Sequence, residues 1–194
     1  MDNVDVANIG LVQLGAETIS ALDEDSPQAK KINAIFEYIL KEVLRAHPWN
    51  FAIARASLAQ LTTSPEFDYT YAFQLPSDCL KVIRLEDTFD DFKIEGDTLV
   101  TDASSVNLKY IKYVADPNEW DSGFITAFAT RIAAEITFGL TGSLSLQAAK
   151  FDEYARKLGE ARSLDAQEGK ASVRNISSWL SDRGGNSADN WREF

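Results

Sequence analysis

The sequence predicts an α+β protein, a bundle of about four helices joined to a small antiparallel β-sheet and followed by a flexible C-terminal arm. Three observations lead there. Apolar residues recur every three to four positions before His47 and again after Trp120, the pattern of helices with one buried face. Between these blocks the period falls toward two, and β-branched and aromatic residues gather between turn signals. From Gly169 onward glycine and serine dominate, a composition that cannot build a core of its own. The expected body is residues 1–168 and the expected arm 169–194.

The first helix is expected over 4–14, where Val4, Ile9 and Val12 supply apolar positions and Gly15 stands where a helix would end. Asp23-Glu24-Asp25-Ser26-Pro27 is a strong start signal for the second. It offers an Asp or Ser cap, acidic groups at the positive end of the helix dipole, and Pro at the first helical position. Ile32, Ile35, Phe36, Ile39, Leu40, Val43 and Leu44 then form one continuous stripe over 27–46.

That helix has to stop at His47-Pro48, because Pro lacks an N–H and disfavours a helical conformation in the residue before it. Trp49 and Phe51 follow, each with about 150–250 Å² of mostly apolar surface to cover. Pro48, Trp49 and Phe51 are therefore the expected structural anchors, and His47 reads as part of a core corner rather than as a catalytic group.

The sheet is expected over about 54–114, with strands Ala54–Leu61, Tyr69–Gln74, Leu80–Glu86, Phe92–Glu95, Thr98–Thr101 and Val106–Val114. The last alternates most clearly, Val106, Leu108, Tyr110, Lys112 and Val114 facing one way and Asn107, Lys109, Ile111 and Tyr113 the other. Gly96-Asp97 reads as a tight hairpin turn. Such short connections require antiparallel pairing, since parallel neighbours need crossovers of about a dozen residues or more. Two further helices are expected over 121–140 and 143–168, broken at Thr141-Gly142-Ser143. The first carries Phe124, Phe128, Ile132, Ile136 and Leu140 beside small alanines.

Composition narrows the function. With 194 residues, 45% hydrophobic and 25% charged, the chain reads as one ordinary globular core plus a tail. It has no uninterrupted apolar run of the ~18 residues that a membrane span needs, and its acidic start lacks the basic n-region of a signal peptide, so it is expected to be made in the cytoplasm with no membrane partner. One cysteine and one histidine leave any metal chemistry to carboxylates, and no cofactor is expected. A net charge of −11 argues against gripping nucleic acid through its phosphates. It suits either a solvated acidic surface or the wall of a conduit that must not hold DNA.

Chemistry-bearing motifs are sparse. The sequence shows no phosphate-cradling loop, nucleophile elbow or paired-histidine motif. The acids Asp23/Glu24/Asp25, Glu86/Asp87 and Asp90/Asp91 include enough carboxylates for a glycosidase pair, but adjacent acids in loops serve more often as solvated turns or helix caps. Cys79 reads as a buried structural thiol. In the arm, Trp179, Leu180, Trp191 and Phe194 stand where a solvated linker would have none. They suit either anchors for a partner or neighbouring subunit, or a tail folded back on its own body.

His47-Pro48-Trp49-Asn50-Phe51-Ala52, then Tyr71-Ala72-Phe73-Gln74-Leu75-Pro76-Ser77-Asp78-Cys79-Leu80, then Ile94-Glu95-Gly96 with Leu108-Lys109-Tyr110, and finally Phe124 through Thr141, together resemble the tail tubular protein A family of short-tailed bacteriophages. The resemblance runs in order from about Ala29 to Glu168. It implies a helical bundle joined to a small antiparallel sheet and no catalytic site. It also implies a structural virion protein, a head-to-tail adaptor forming a dodecameric ring between the portal protein and the tail nozzle. Genomic DNA would pass through the ring without specific binding. Because subunits of −11 repel one another, the free chain is expected to be a monomer that closes into a ring on a template. On that expectation twelve copies at −11 each would set roughly −130 of formal charge around the channel. Outside the resemblance, the rival expectations are a connector of a long-tailed phage and a carbohydrate-cleaving tail enzyme using paired carboxylates.

Overall fold

Helix α1 (Asn3–Val12) begins where Asp2 and Asp5 cap one another reciprocally. The Asp5 amide donates to Asp2 Oδ1 at 2.8 Å and the Asp2 amide to Asp5 Oδ2 at 2.9 Å. The computed structural model describes residues 1–87 and 91–168. Val6, Ala7 and Leu11 of α1 are fully buried. Gly10 faces α3 (Ser122–Thr141) so closely that a Cβ there would lie 2.8 Å from the carbonyl oxygen of Ala129. The helix stops two residues short of the expected boundary, and Gly15 then turns the chain at φ +66.

Helix α2 (Pro27–Arg45) starts with Ser26 as its cap, accepting from the Ala29 amide at 3.1 Å, and with Pro27 at its first position. Of the expected stripe, Ile32, Phe36, Ile39, Leu40, Val43 and Leu44 are buried, and Ile35 packs half-buried beside them. Helix α3 is capped by Asp121, which accepts from the Gly123 amide at 2.7 Å, and ends at Gly142 with φ +68. By length and composition α3 could cross a membrane, but just over half of its apolar window is buried inside this protein, as expected of a central core helix. Helix α4 (Leu144–Gln167) covers α3 from outside and buries few side chains, Leu158, Ala161 and Asp165 among them. Arg131 ties three helices together. It pairs with Glu42 of α2 at 3.2 Å and Glu135 of α3 at 2.8 Å, and lies over the rings of Phe151 and Tyr154 of α4.

Where one sheet is expected, there are two of three strands each, both antiparallel. β1 (Ile53–Ser57) and β3 (Cys79–Leu85) flank β6 (Asn107–Lys112), whereas β2 (Tyr71–Gln74) and β4 (Phe92–Glu95) flank β5 (Thr98–Thr101). The chain passes from one sheet to the other just after β1. The Leu58 amide still donates to the Val106 carbonyl, while the Leu61 amide donates to the Ala72 carbonyl and the Gln74 amide to the Ala59 carbonyl beside β2. Alternation in a sequence assigns faces to a strand but not partners, so the split was not visible there.

Phe73, Leu85, Leu99, Val106, Leu108 and Tyr110 close a small core between the sheets, distinct from the larger helical core. β6 belongs to both. Leu108 and Tyr110 enter the small core, whereas Ile111, and Val114 just beyond the strand, enter the helical one. The face assignment expected for Val114 therefore fails past the end of β6, where the chain leaves the ladder.

Candidate functional site

The geometry concentrates at the turn that the sequence marks most strongly, His47-Pro48-Trp49-Asn50-Phe51. After α2 ends, Pro48 is exposed and Trp49 is driven inward to 0% exposure, followed by a 3₁₀ turn over Asn50–Ala52 that leads into β1. The Trp49 indole N–H donates to the Val43 carbonyl at 3.1 Å. Its ring meets Phe124 edge-on at 5.2 Å and His47 at 4.9 Å, and stacks near Phe51 at 6.2 Å. A second tryptophan repeats the device, since Trp120 Nε1 donates to the Val114 carbonyl at 3.0 Å and its ring packs against Phe124 and Phe128. Phe36 of α2 meets Phe128 edge-on at 5.2 Å, so aromatic side chains from α2, the turn and α3 form one continuous cluster.

A carboxylate from the far end of the body completes this corner. Asp165, on the last turn of α4 and only 6% exposed, takes the Asn50 amide at Oδ1 (2.9 Å) and sits 3.0 Å from His47 Nε2 through Oδ2. A carboxylate only accepts, so Nε2 is the donor. Asn50 Nδ2 returns a bond to the Asp165 backbone carbonyl at 2.7 Å, and Arg162 Nη2 donates to Ala46 O at 3.0 Å, placing a cation at the C-terminal end of α2. Both oxygens of Asp165 are occupied by structural donors, so the arrangement acts as a fastening: it pins the end of α4, from which the chain continues toward residue 169, to the turn between bundle and sheet. Asp165 was missed in the sequence because an acid on an amphipathic helix ordinarily reads as part of the solvated face. Its distinguishing signal is the apolar stripe Leu158-Ala161 running into it at helical spacing.

The second segment carrying the family resemblance also has a local job. In Leu75-Pro76-Ser77-Asp78-Cys79 the Cys79 amide bonds to Pro76 O, and Asp78 takes the Tyr110 hydroxyl at 3.1 Å and the Tyr113 amide through its carbonyl at 2.7 Å. The turn is thereby tied to β6. Burial, with the Asp78 charge second, pushes the Tyr110 hydroxyl up to about 12, so it stays a neutral donor at ordinary pH. Cys79 is half-buried rather than fully buried, and desolvation, with Asp78 again second, pushes its thiol up, away from nucleophilic behaviour.

The paired acids do turn work where they are described. Glu24 takes the Ser20 hydroxyl at 2.7 Å and its amide at 2.8 Å, Asp25 pairs with Lys30, and Glu86 takes Asn107 Nδ2 at 2.6 Å. The Ser20 hydroxyl and amide, in that order, hold the Glu24 carboxyl well below its usual 4.5, at about 2. Because the folded value is depressed, this contact is fully present above pH 4.5 and is lost as the pH falls toward about 2. A titration followed by the Ser20 amide resonance is expected to show its midpoint near the lower value; a midpoint at 4.5 would contradict the bond.

Among the described residues no group of three or more His, Cys, Asp or Glu side chains is arranged to hold a metal ion. Asp90 and the arm residues Trp179, Leu180, Trp191 and Phe194 lie outside the described residues. No protein-family model matches the chain, and no curated protein matches it.

Proposed function

We propose that this chain is a head-to-tail adaptor of a short-tailed bacteriophage, a ring-forming structural protein seated between portal and tail nozzle, with genomic DNA passing through its centre. The observation that carries the reading is the His47–Ala52 turn. The segment most specific to the resemblance is also the one on which the bundle, the sheet and the end of α4 converge. The α+β order of elements, helices around a central α3 with small antiparallel sheets appended, agrees with the architecture that the resemblance implies.

In this role the protein works by shape, repeated contact and charge. Subunits of −11 repel one another at long range, so the free chain is a monomer and closes into a ring on the portal as template. Trp179, Leu180, Trp191 and Phe194 supply apolar contacts to the portal or the next subunit, multiplied around the ring. Electron microscopy of the chain mixed with a portal ring from the same phage tests this. A ring of density stacked coaxially on the portal is the expected result, and replacing Trp179 and Trp191 with Ala should weaken its attachment. A chain that never joins the portal at any salt concentration would overturn the reading.

A further inference from the structure

Across the sheet β1-β6-β3 three cations stand in one row. Arg55 of β1 pairs in register with Lys109 of β6, and Lys109 pairs on its other side with Arg84 of β3. Arg55 and Arg84 are exposed, with Lys109 half-buried between them. Like charges directly opposite one another destabilise a sheet, so the row is a standing cost in the isolated chain. No ion pair among the described residues relieves Arg55 or Lys109, and Arg84 spends its Nη1 on the Leu85 carbonyl at 3.2 Å. A groove of about 330 Å³ opens over the row, and Glu86, the single acid lining it among the described residues, is engaged by Asn107. The feature is conspicuous because the chain as a whole carries −11.

We propose that this cationic row is one half of the seam between neighbouring copies of the chain, and that it receives the acidic loop joining α1 to α2 of the next copy, through Glu17 and Asp23. The inference rests on the ring reading above. Copies arranged head to tail meet through two different surfaces, and identical subunits of strong negative charge repel unless those surfaces are locally complementary. Arg55, Lys109 and Arg84 provide one of them. The loop provides the other, because it concentrates Glu17, Asp23, Glu24 and Asp25 within nine residues. Glu24 and Asp25 are already held by Ser20 and Lys30, whereas Glu17 and Asp23 are exposed and without an ion pair among the described residues. Nucleic acid fits the row less well. Three cations neutralise far fewer phosphates than the roughly 6–10 contacts of an effective binder, and the field of the whole chain repels the polymer.

A charge exchange tests the proposal on the full chain, with the portal ring as template and mass photometry as readout. One variant carries Arg55→Glu and Arg84→Glu, which leaves Lys109 flanked by opposite charges and so should fold; the other carries Glu17→Lys and Asp23→Lys. Each alone is expected to need a roughly tenfold or higher concentration for assembly, equivalent to ~1.4 kcal/mol or more. An equimolar mixture, in which every seam can again pair opposite charges, is expected to recover wild-type assembly. The neutral pair Arg55→Gln and Arg84→Gln, checked by circular dichroism, gives the same reading should reversed charges perturb the fold. Wild-type assembly by either single variant, or failure of the mixture to recover, would overturn the seam while leaving the ring intact. If the wild-type chain itself never assembles on the portal, the ring reading fails and the seam with it. Normal assembly of the Arg variant together with lost binding to an oligothymidine probe would assign the row to phosphate instead.

Discussion

Trp49→Ala is expected to destabilise the fold by about 3–5 kcal/mol, the cost of removing a large buried aromatic and leaving a cavity that its neighbours fill only in part. The residue is fully buried, its ring touches aromatics from both sides of the turn, and its indole N–H satisfies the Val43 carbonyl at the end of α2. For a body of this size the corresponding fall in melting temperature is on the order of ten degrees. Trp49→Phe separates the two contributions. It keeps most of the ring packing and loses the hydrogen bond, so it should cost closer to ~1 kcal/mol plus the smaller loss of volume. An unchanged melting temperature for the Ala variant would show that the turn is not held by this side chain.

Asp165→Ala is the second large effect. It strips the acceptor from the Asn50 amide and from His47 Nε2, both in part-buried contacts, and each donor left without it costs up to about 1–3 kcal/mol, less where water reaches it. The consequence is local as well as global. The last two turns of α4 lose their fastening, so amides near Arg162–Glu168 should exchange faster while those of α3 remain protected. Asp165→Asn keeps an acceptor for the Asn50 amide and keeps the backbone carbonyl that takes Asn50 Nδ2 at 2.7 Å, so it should retain a good part of the stability. If the Ala variant exchanges like wild type through residue 168, the end of α4 is held by something other than this carboxylate.

What could be read in the sequence and what could not divides along distance in the chain. Pro48, Ser26-Pro27 and Gly142 act on their immediate neighbours, and the helix boundaries they predict lie within one or two residues of those observed. The hairpin at Gly96 is equally local, and Gly96 adopts φ +64 between paired Glu95 and Thr98. The partition into two sheets depends instead on which strand meets β6, a question settled by tertiary packing rather than by alternation. The corner was legible up to Trp49, whose apolar area demands cover wherever the chain goes. The group that completes it was not, since Asp165 lies 118 residues from His47 and carries no local mark of its partner. The cationic row escaped for the same reason, Arg55, Arg84 and Lys109 being unremarkable until the register sets them side by side.

Strand β6 lends opposite faces to two separate cores, Leu108 and Tyr110 to one and Ile111 to the other. Neither core can open far without distorting the same short ribbon of backbone, and its pairing with β1 and β3 connects segments from both sides of the β4-β5 hairpin. A disturbance admitted at the small sheets is therefore carried into the helices as lost ladder bonds, and the whole described body is expected to melt in one cooperative step rather than as a bundle and an appendage. In the ring proposed above, that coupling would mean that force applied to the sheets is borne by the helical core as well, without a soft joint between them.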